Sequence, residues 1–277
     1  MPGAKEIVLP VDRRNSPSSP IVAVGRGGSG TRLLSLLLQR LGVFVGNRVN
    51  EYGDATEWVE LIYRMVVAIV PHRPDRMPDE WRGALRACAQ EILSAGQWRA
   101  GTCWGWKLPE TLLVLPEVLE AFPEAKVVHL VRHPVDSCLR RTHLTSRADN
   151  SIGRATLEAA YESLGWPRDP ASDEDHIRNA ASWRFQLETV RQIRHELPSE
   201  RYLEIRYEDL CLDTNTVSNM VARFVGVCAP PPPLPVDRAR MRSWKNGDPR
   251  TVEVWKICGS EAEHFGYSAP SRSNKAN

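Results

Sequence analysis

No Cys-x-x-Cys pair occurs among the six cysteines of this 277-residue chain. Cys88, Cys103, Cys138, Cys211, Cys228 and Cys258 are scattered, which argues against a zinc site or a disulfide framework and for reduced thiols. The seven histidines lack ligand spacing too, so no metal is expected. Neither sign of charge is in excess: 36 Lys and Arg against 34 Asp and Glu leave +2, with no general pull toward nucleic acid or an anionic membrane. Apolar runs of the roughly 18–20 residues that span a bilayer are missing. Met1 to Pro20 have no apolar signal-peptide core, so a cytoplasmic location is expected. There is no internal repeat. What remains, 42% hydrophobic and 25% charged residues, suits one large α/β domain.

Residues 1–19, rich in Pro, Ser and charge, read as a mobile lead-in, residues 20–267 as a single domain, and 268–277 as a disordered tail. Within the domain, Ile21–Val24 and Ala125–Val131 are apolar runs suited to buried parallel strands. Tyr202–Tyr207 reads as a third strand, and Trp104–Lys107 as short and extended, with a further short strand at Val43–Val45. Helices are expected at Thr31–Leu41, from Asp54 to Pro71, at Pro78–Ala95, from Pro109 to Phe122, after Pro134, at Glu174–Leu197 and from Asp213 to Gly226. Asp54 and Glu57 have the spacing of a capping box. Residues 148–173 show no periodicity and read as a long loop; Pro230–Pro235 reads as a stiff polyproline segment. Strands alternating with helices predict a three-layer α/β sandwich on a central parallel sheet. Ligands of such sheets lie beyond the carboxyl ends of the strands, so the segments after Val24, Val131 and Ile205 should converge on one site.

The segment after Val24 is the most telling: Gly25-Arg26-Gly27-Gly28-Ser29-Gly30-Thr31-Arg32, running into a leucine-rich helix. Glycines let a backbone curl with its N–H groups inward, and the helix N-terminus adds positive potential, which together make a phosphate cradle. Gly25 and Gly30 match the nucleotide-triphosphatase loop Gly-x-x-x-x-Gly-Lys-Ser/Thr, but Thr31 and Arg32 stand where the lysine and the magnesium-binding hydroxyl belong. The loop is therefore expected to hold phosphate other than Mg-ATP.

Three more segments fall at strand ends: Trp104-Gly105-Trp106-Lys107-Leu108-Pro109, Val128-His129-Leu130-Val131-Arg132-His133-Pro134, and Arg206-Tyr207-Glu208-Asp209-Leu210. With the cradle, this ordered series resembles the sulfotransferases that use 3′-phosphoadenosine 5′-phosphosulfate (PAPS). The tyrosylprotein, heparan and bacterial types are nearer than the cytosolic small-molecule types. The resemblance implies a P-loop-like phosphosulfate-binding loop at Arg26, Gly27, Gly28, Ser29, Gly30, Thr31 and Arg32. It implies a 3′-phosphate site at Arg132, with Ser137 and Arg140 near it, Tyr207 by the adenine, and Lys245 in a C-terminal clasp. Lys107 matches a catalytic lysine.

The family's usual Lys or Arg before Ser-Gly-Thr is Gly28 here, so Arg26 or Lys107 must serve instead. For the base, Glu51, Asp54 and Glu57 follow the first strand–helix unit, about where relatives place a glutamate. Glu51 is the first choice and Asp54 the second, since Asp54 and Glu57 have a capping reading. A histidine base is missing because Lys107 occupies its place; His143 is a surface or phosphate-site residue, and His129 a core residue. Trp58, Trp81, Trp104 and Trp106 could line an apolar acceptor pocket. The expected reaction is sulfuryl transfer from PAPS, without a metal, to a hydroxyl of a glycan, glycolipid or natural product. The alternatives are a P-loop kinase or hydrolase, or a non-catalytic adenine-nucleotide binder. Oligomeric state is left open.

Overall fold

The computed structural model describes residues 19–228, 231, 233–245 and 247–270. The expected lead-in and tail lie outside them, apart from Ser19 and residues 268–270, and so do Pro230 and Pro232 of the polyproline segment. Four parallel strands form one sheet: β1 (Ile21–Val24), β2 (Gly105–Lys107), β3 (Lys126–Val131) and β4 (Tyr202–Arg206), in spatial order β2-β1-β3-β4. Registers of Val22 with Trp106, Val24 with His129 and Val131 with Arg206 bring all four carboxyl ends to one edge.

Among the described residues, ten α-helices surround the sheet: α1 (Thr31–Arg40), α2 (Val59–Ile69), α3 (Asp79–Ser94), α4 (Leu115–Ala121), α5 (Pro134–Cys138), α6 (Ser151–Ser163), α7 (Asp175–Glu196), α8 (Tyr207–Leu212), α9 (Thr214–Val225) and α10 (Pro249–His264). Strand side chains alternate between two buried faces. Val22, Val24, Trp106 and Val127 join one core with α2, α3 and α4, while Ile21, Ala23, Val128, Leu130 and Ile205 join another with α1, α8 and α9. This is the three-layer α/β architecture. A third cluster unites Val135 and Cys138 of α5 with α7 and α10, behind the end of β3.

Several local expectations fail for identifiable reasons. Residues 148–173 contain α6 and a 3₁₀ turn at Pro170–Ser172. The buried face of α6 is built from Gly153, Ala155, Thr156, Ala159 and Ala160 around Ile152 and Leu157, too small to register as hydrophobic periodicity. Its start is marked by Asn150, whose Oδ1 accepts from Gly153 N–H at 2.8 Å. The helix after Pro134 ends at Cys138, so Arg140, Arg141 and Arg147 lie beyond it. Val43–Val45 contributes a single bridge, Phe44 to Trp104.

No capping box forms at Asp54 and Glu57. The helical start there, a 3₁₀ turn at Thr56–Trp58, has Ala55 as its cap, and Glu57 Oε1 instead accepts from the N–H groups of Asn47 and Arg48 at 2.7 and 2.8 Å. Nor do the four tryptophans line one pocket together. Trp58 and Trp106 stack at 4.1 Å inside the core, Trp104 is buried beside them, and Trp81 packs against the same cluster. Such stacking adds about 0.5–1.5 kcal/mol beyond area burial.

Candidate active site at the carboxyl edge of the sheet

The loop after β1 turns through two left-handed glycines, Gly28 (φ 91°) and Gly30 (φ 95°), conformations that side-chain-bearing residues rarely adopt. Ser29 N–H closes the turn on Arg26 C=O at 3.0 Å. Gly30 is the N-cap of α1 and brings no capping side chain, so the first-turn N–H groups of a ten-residue helix are left for a ligand. Ser29 and Thr31 are buried in the turn, and Arg32 is exposed at its rim.

Arg26 does not face the cradle's mouth. Its guanidinium is 1% exposed and runs behind the loop, donating to Ser146 Oγ at 2.9 Å, Asn179 Oδ1 at 2.6 Å and the Gly27 carbonyl at 3.1 Å. Burial depresses its pKa, and no carboxylate pairs with it among the described residues.

Lys107 is brought in at the end of β2, 1% exposed. Its ammonium donates to Asp54 Oδ1 and to the Tyr52 carbonyl, the latter at 2.8 Å. The turn carrying those acceptors is organised by Asn50, whose Oδ1 accepts from the N–H groups of Tyr52 and Asp54, both at 2.9 Å. Ser35 of α1 fastens it by donating to Gly53 C=O at 2.8 Å. Burial pushes the Lys107 pKa down, and Asp54 pushes back. Asp54 is thus the carboxylate that favours the charged ammonium against burial. Glu51 lies in the same turn, exposed, with no hydrogen bond or ion pair to its side chain among the described residues.

Past β3, Arg132 is 1% exposed and lies over the Tyr207 ring, 4.4 Å from its centroid, while pairing with Asp136 at 3.2 Å and donating to the Arg240 carbonyl. Tyr207, from the end of β4, lies so close to Gly30 that any Cβ there would collide with its ring. Arg140 is exposed at this edge; partial desolvation, then Arg132 and Arg240, hold its pKa below the usual value. Two buried polar atoms here, Arg132 Nε and Ser137 Oγ, have no hydrogen-bond partner among the described residues. Clustered guanidiniums and an orphaned hydroxyl are the donor set a phosphate dianion satisfies, so the residues fit a bisphosphorylated nucleotide. Asp136 also accepts from Arg242 N–H at 2.7 Å and Ser243 N–H at 2.8 Å, which docks the segment leading to Lys245. Lys245 itself is exposed, and no contact ties it to Arg132 among the described residues.

Other residues acquire roles that periodicity could not show. Glu208 links three parts of the edge: Oε1 accepts from His133 N–H at 3.0 Å and Oε2 from the Tyr267 hydroxyl at 2.7 Å. His129 is a core residue, its Nδ1 2.8 Å from the Tyr202 hydroxyl. His143 is mostly buried against Gly27, and Glu110, 3% exposed, lies 3.6 Å from its Nε2. The only available signal for Glu110 was its place three residues after Lys107. Among the described residues no group of three or more His, Cys, Asp or Glu could hold a metal, and no helix is long and apolar enough to cross a membrane.

Residues 20–231 match the sequence pattern of the Sulfotransferase family. No curated protein sequence matches. Among solved structures, the sulfotransferase domain from the curacin biosynthetic pathway is 15% identical, with a TM-score of 0.53 over 92% of this chain and 100% of that one. A sulfotransferase from Alicyclobacillus acidocaldarius is 17% identical, also at 0.53, over 92% and 95%. At these identities the likeness concerns the fold.

Proposed function

This chain belongs to the sulfotransferase family, and from that premise we propose that it moves the sulfuryl group of PAPS to a hydroxyl of a glycan, glycolipid or natural product. The observation that carries the reading is convergence: the cradle, Lys107, Arg132 and Tyr207 leave the ends of four adjacent parallel strands on one edge. PAPS, when bound, supplies an activated sulfuryl group on a phosphate leaving group. Every other part of the work falls to the chain.

Backbone N–H groups of residues 27–31 and the uncapped start of α1 hold the phosphosulfate, and Arg32 extends the positive rim. Arg132, Ser137 and Arg140 hold the 3′-phosphate, with Lys245 as an outer cation. Tyr207 places its ring between the cradle and Arg132, where it limits how the adenylate can lie. Lys107 steadies the charge that grows on the bridging oxygen, worth most in a desolvated site. It takes the place of the basic residue that Gly28 does not supply. Asp54 orients that ammonium and favours its charged form. Positioning and fixed charge are the main levers for such an in-line displacement.

Calorimetry with 3′-phosphoadenosine 5′-phosphate (PAP) against Mg-ATP tests the donor, with transfer of labelled sulfate from PAPS as the activity readout. Binding of the bisphosphate without magnesium is expected. Magnesium-dependent ATP binding with none for PAP overturns the reading in favour of a P-loop kinase or hydrolase.

A further inference from the structure

Sulfuryl transfer to a hydroxyl needs a base, and the two carboxylates of the 50–54 turn are poorly placed to be one. Asp54 is engaged by Lys107 and by Asn50 Nδ2, the latter at 3.2 Å. Glu51 is exposed, with nothing holding it in one orientation among the described residues. We infer that Glu110 takes the acceptor's proton, with His143 as its positioning residue. This rests on the sulfuryl-transfer reading above.

The pair lies buried beside the glycine loop. Glu110 lies in the first turn of the 3₁₀ segment Pro109–Val114 that follows Lys107, and its Oε1 is 3.6 Å from His143 Nε2. His143 fills the space that a side chain at position 27 would need, with Nε2 the nearest atom. Only a glycine at 27 admits the ring so close to the cradle backbone.

The imidazole's other nitrogen is spoken for. Nδ1 accepts from Thr145 N–H at 3.4 Å and lies 3.2 Å from Thr145 Oγ1. That hydroxyl oxygen already accepts from Ser182 Oγ at 3.1 Å and Gln186 Nε2 at 3.3 Å, so its own proton is directed to Nδ1. The network therefore assigns the neutral ring's proton to Nε2, on the side of Glu110. A polar chain from α7 thereby fixes which way the imidazole points.

The charges around the pair suit a base at neutral pH. Burial raises the Glu110 pKa to about 7 against the pull of its own backbone N–H, with Asp54 acting in the same direction as burial and Lys107 against it. Tyr63 of α2 shares this field, and burial first, then Glu110 and Asp54, drive its own pKa upward. Burial, then Arg26, Arg141 and Lys107, lower His143 to about 3, so it stays an uncharged donor. A base with a pKa near the working pH combines availability with driving force. In the step, the acceptor oxygen attacks sulfur and a new O–S bond forms. The S–O bond to the 5′-phosphate breaks, its electron pair going to the phosphate oxygen. The acceptor's proton passes to the Glu110 carboxylate and afterwards to solvent.

The test follows turnover of PAPS to PAP across pH in the full chain, with water and 2-naphthol as the two acceptors. PAP affinity is measured alongside by calorimetry. Wild type should show an activity limb rising through about pH 7. Glu110→Gln should lose roughly 10²- to 10⁴-fold in kcat and lose that limb, with PAP affinity within about twofold. Glu51→Gln should keep both rate and limb, and His143→Leu should move the limb's midpoint upward as an apolar side chain replaces the imidazole 3.6 Å from the carboxylate. An intact rate and limb in Glu110→Gln, or their loss in Glu51→Gln, overturns the assignment. So does a wild type that binds PAP yet transfers to neither acceptor. A wild type that does not bind PAP sinks the donor reading itself.

Discussion

Arg26 donates to Asn179 Oδ1 at 2.6 Å, joining the phosphate cradle to the middle of α7. The same guanidinium reaches Ser146, so one side chain pins three segments together with no carboxylate partner among the described residues. Arg26 then acts on stability more than on ligand charge. Arg26→Met should cost about 2–4 kcal/mol in urea unfolding, because Asn179 and Ser146 lose a buried partner. PAP affinity in the folded variant should change only a few-fold; a stable protein with abolished binding would contradict this.

Arg132 has the opposite profile. Its orphaned Nε and the Ser137 hydroxyl are suited to a phosphate at the end of β3. Arg132→Lys should weaken PAP by roughly 10- to 100-fold, since a lysine has no planar fork, while leaving adenosine 5′-phosphosulfate, which lacks the 3′-phosphate, nearly unaffected. Equal losses for both ligands would place Arg132 elsewhere in the mechanism.

Gly27 and His143 should be energetically coupled. A methyl at 27 collides with the imidazole, so Gly27→Ala should destabilise the protein by about 1–3 kcal/mol. The loss should be smaller when Gly27→Ala is made in a His143→Ala background. A double-mutant cycle by thermal or urea unfolding measures the coupling, and strict additivity would show that the ring moves aside freely.

Glu110 ties stability to pH. Its folded pKa of about 7 is raised from an ordinary 4.5, so the folded state holds a proton that the unfolded chain has released between those values. The associated stability is complete below about pH 4.5 and is lost as pH rises through about 7, on the order of 3 kcal/mol in total. Glu110→Gln should flatten that slope, so its stability relative to wild type improves between pH 5 and pH 8. Parallel unfolding curves for the two proteins across that range would refute it.

Much of the architecture is legible in the chain because it depends on local pattern. Ile21–Val24 is a continuous apolar run and Val127–Val131 an apolar one broken only by His129, and both are buried strands. Glycines at 28 and 30 mark the cradle because left-handed backbone leaves little choice of residue. The α6 helix was hidden because Gly, Ala and Thr bury as well as leucine once a neighbouring helix comes close. The role of Glu57 is not legible in the chain, since the Asp54–Glu57 spacing is the same whether its carboxylate caps the following turn or accepts from Asn47 and Arg48.

The amino-acid order by itself determined the α/β class, the glycine loop before α1 and the strand ends that carry Lys107, Arg132 and Tyr207. Each of these is marked by residue pattern within a few positions. Only the tertiary structure decided that Arg26 turns inward, that Asp54 belongs to Lys107, and that Glu110 comes within 3.6 Å of the imidazole that packs on Gly27. Those pairings join positions far apart in the chain, and burial sets which side-chain proton stays or leaves. Neither distance nor desolvation is written in local spacing.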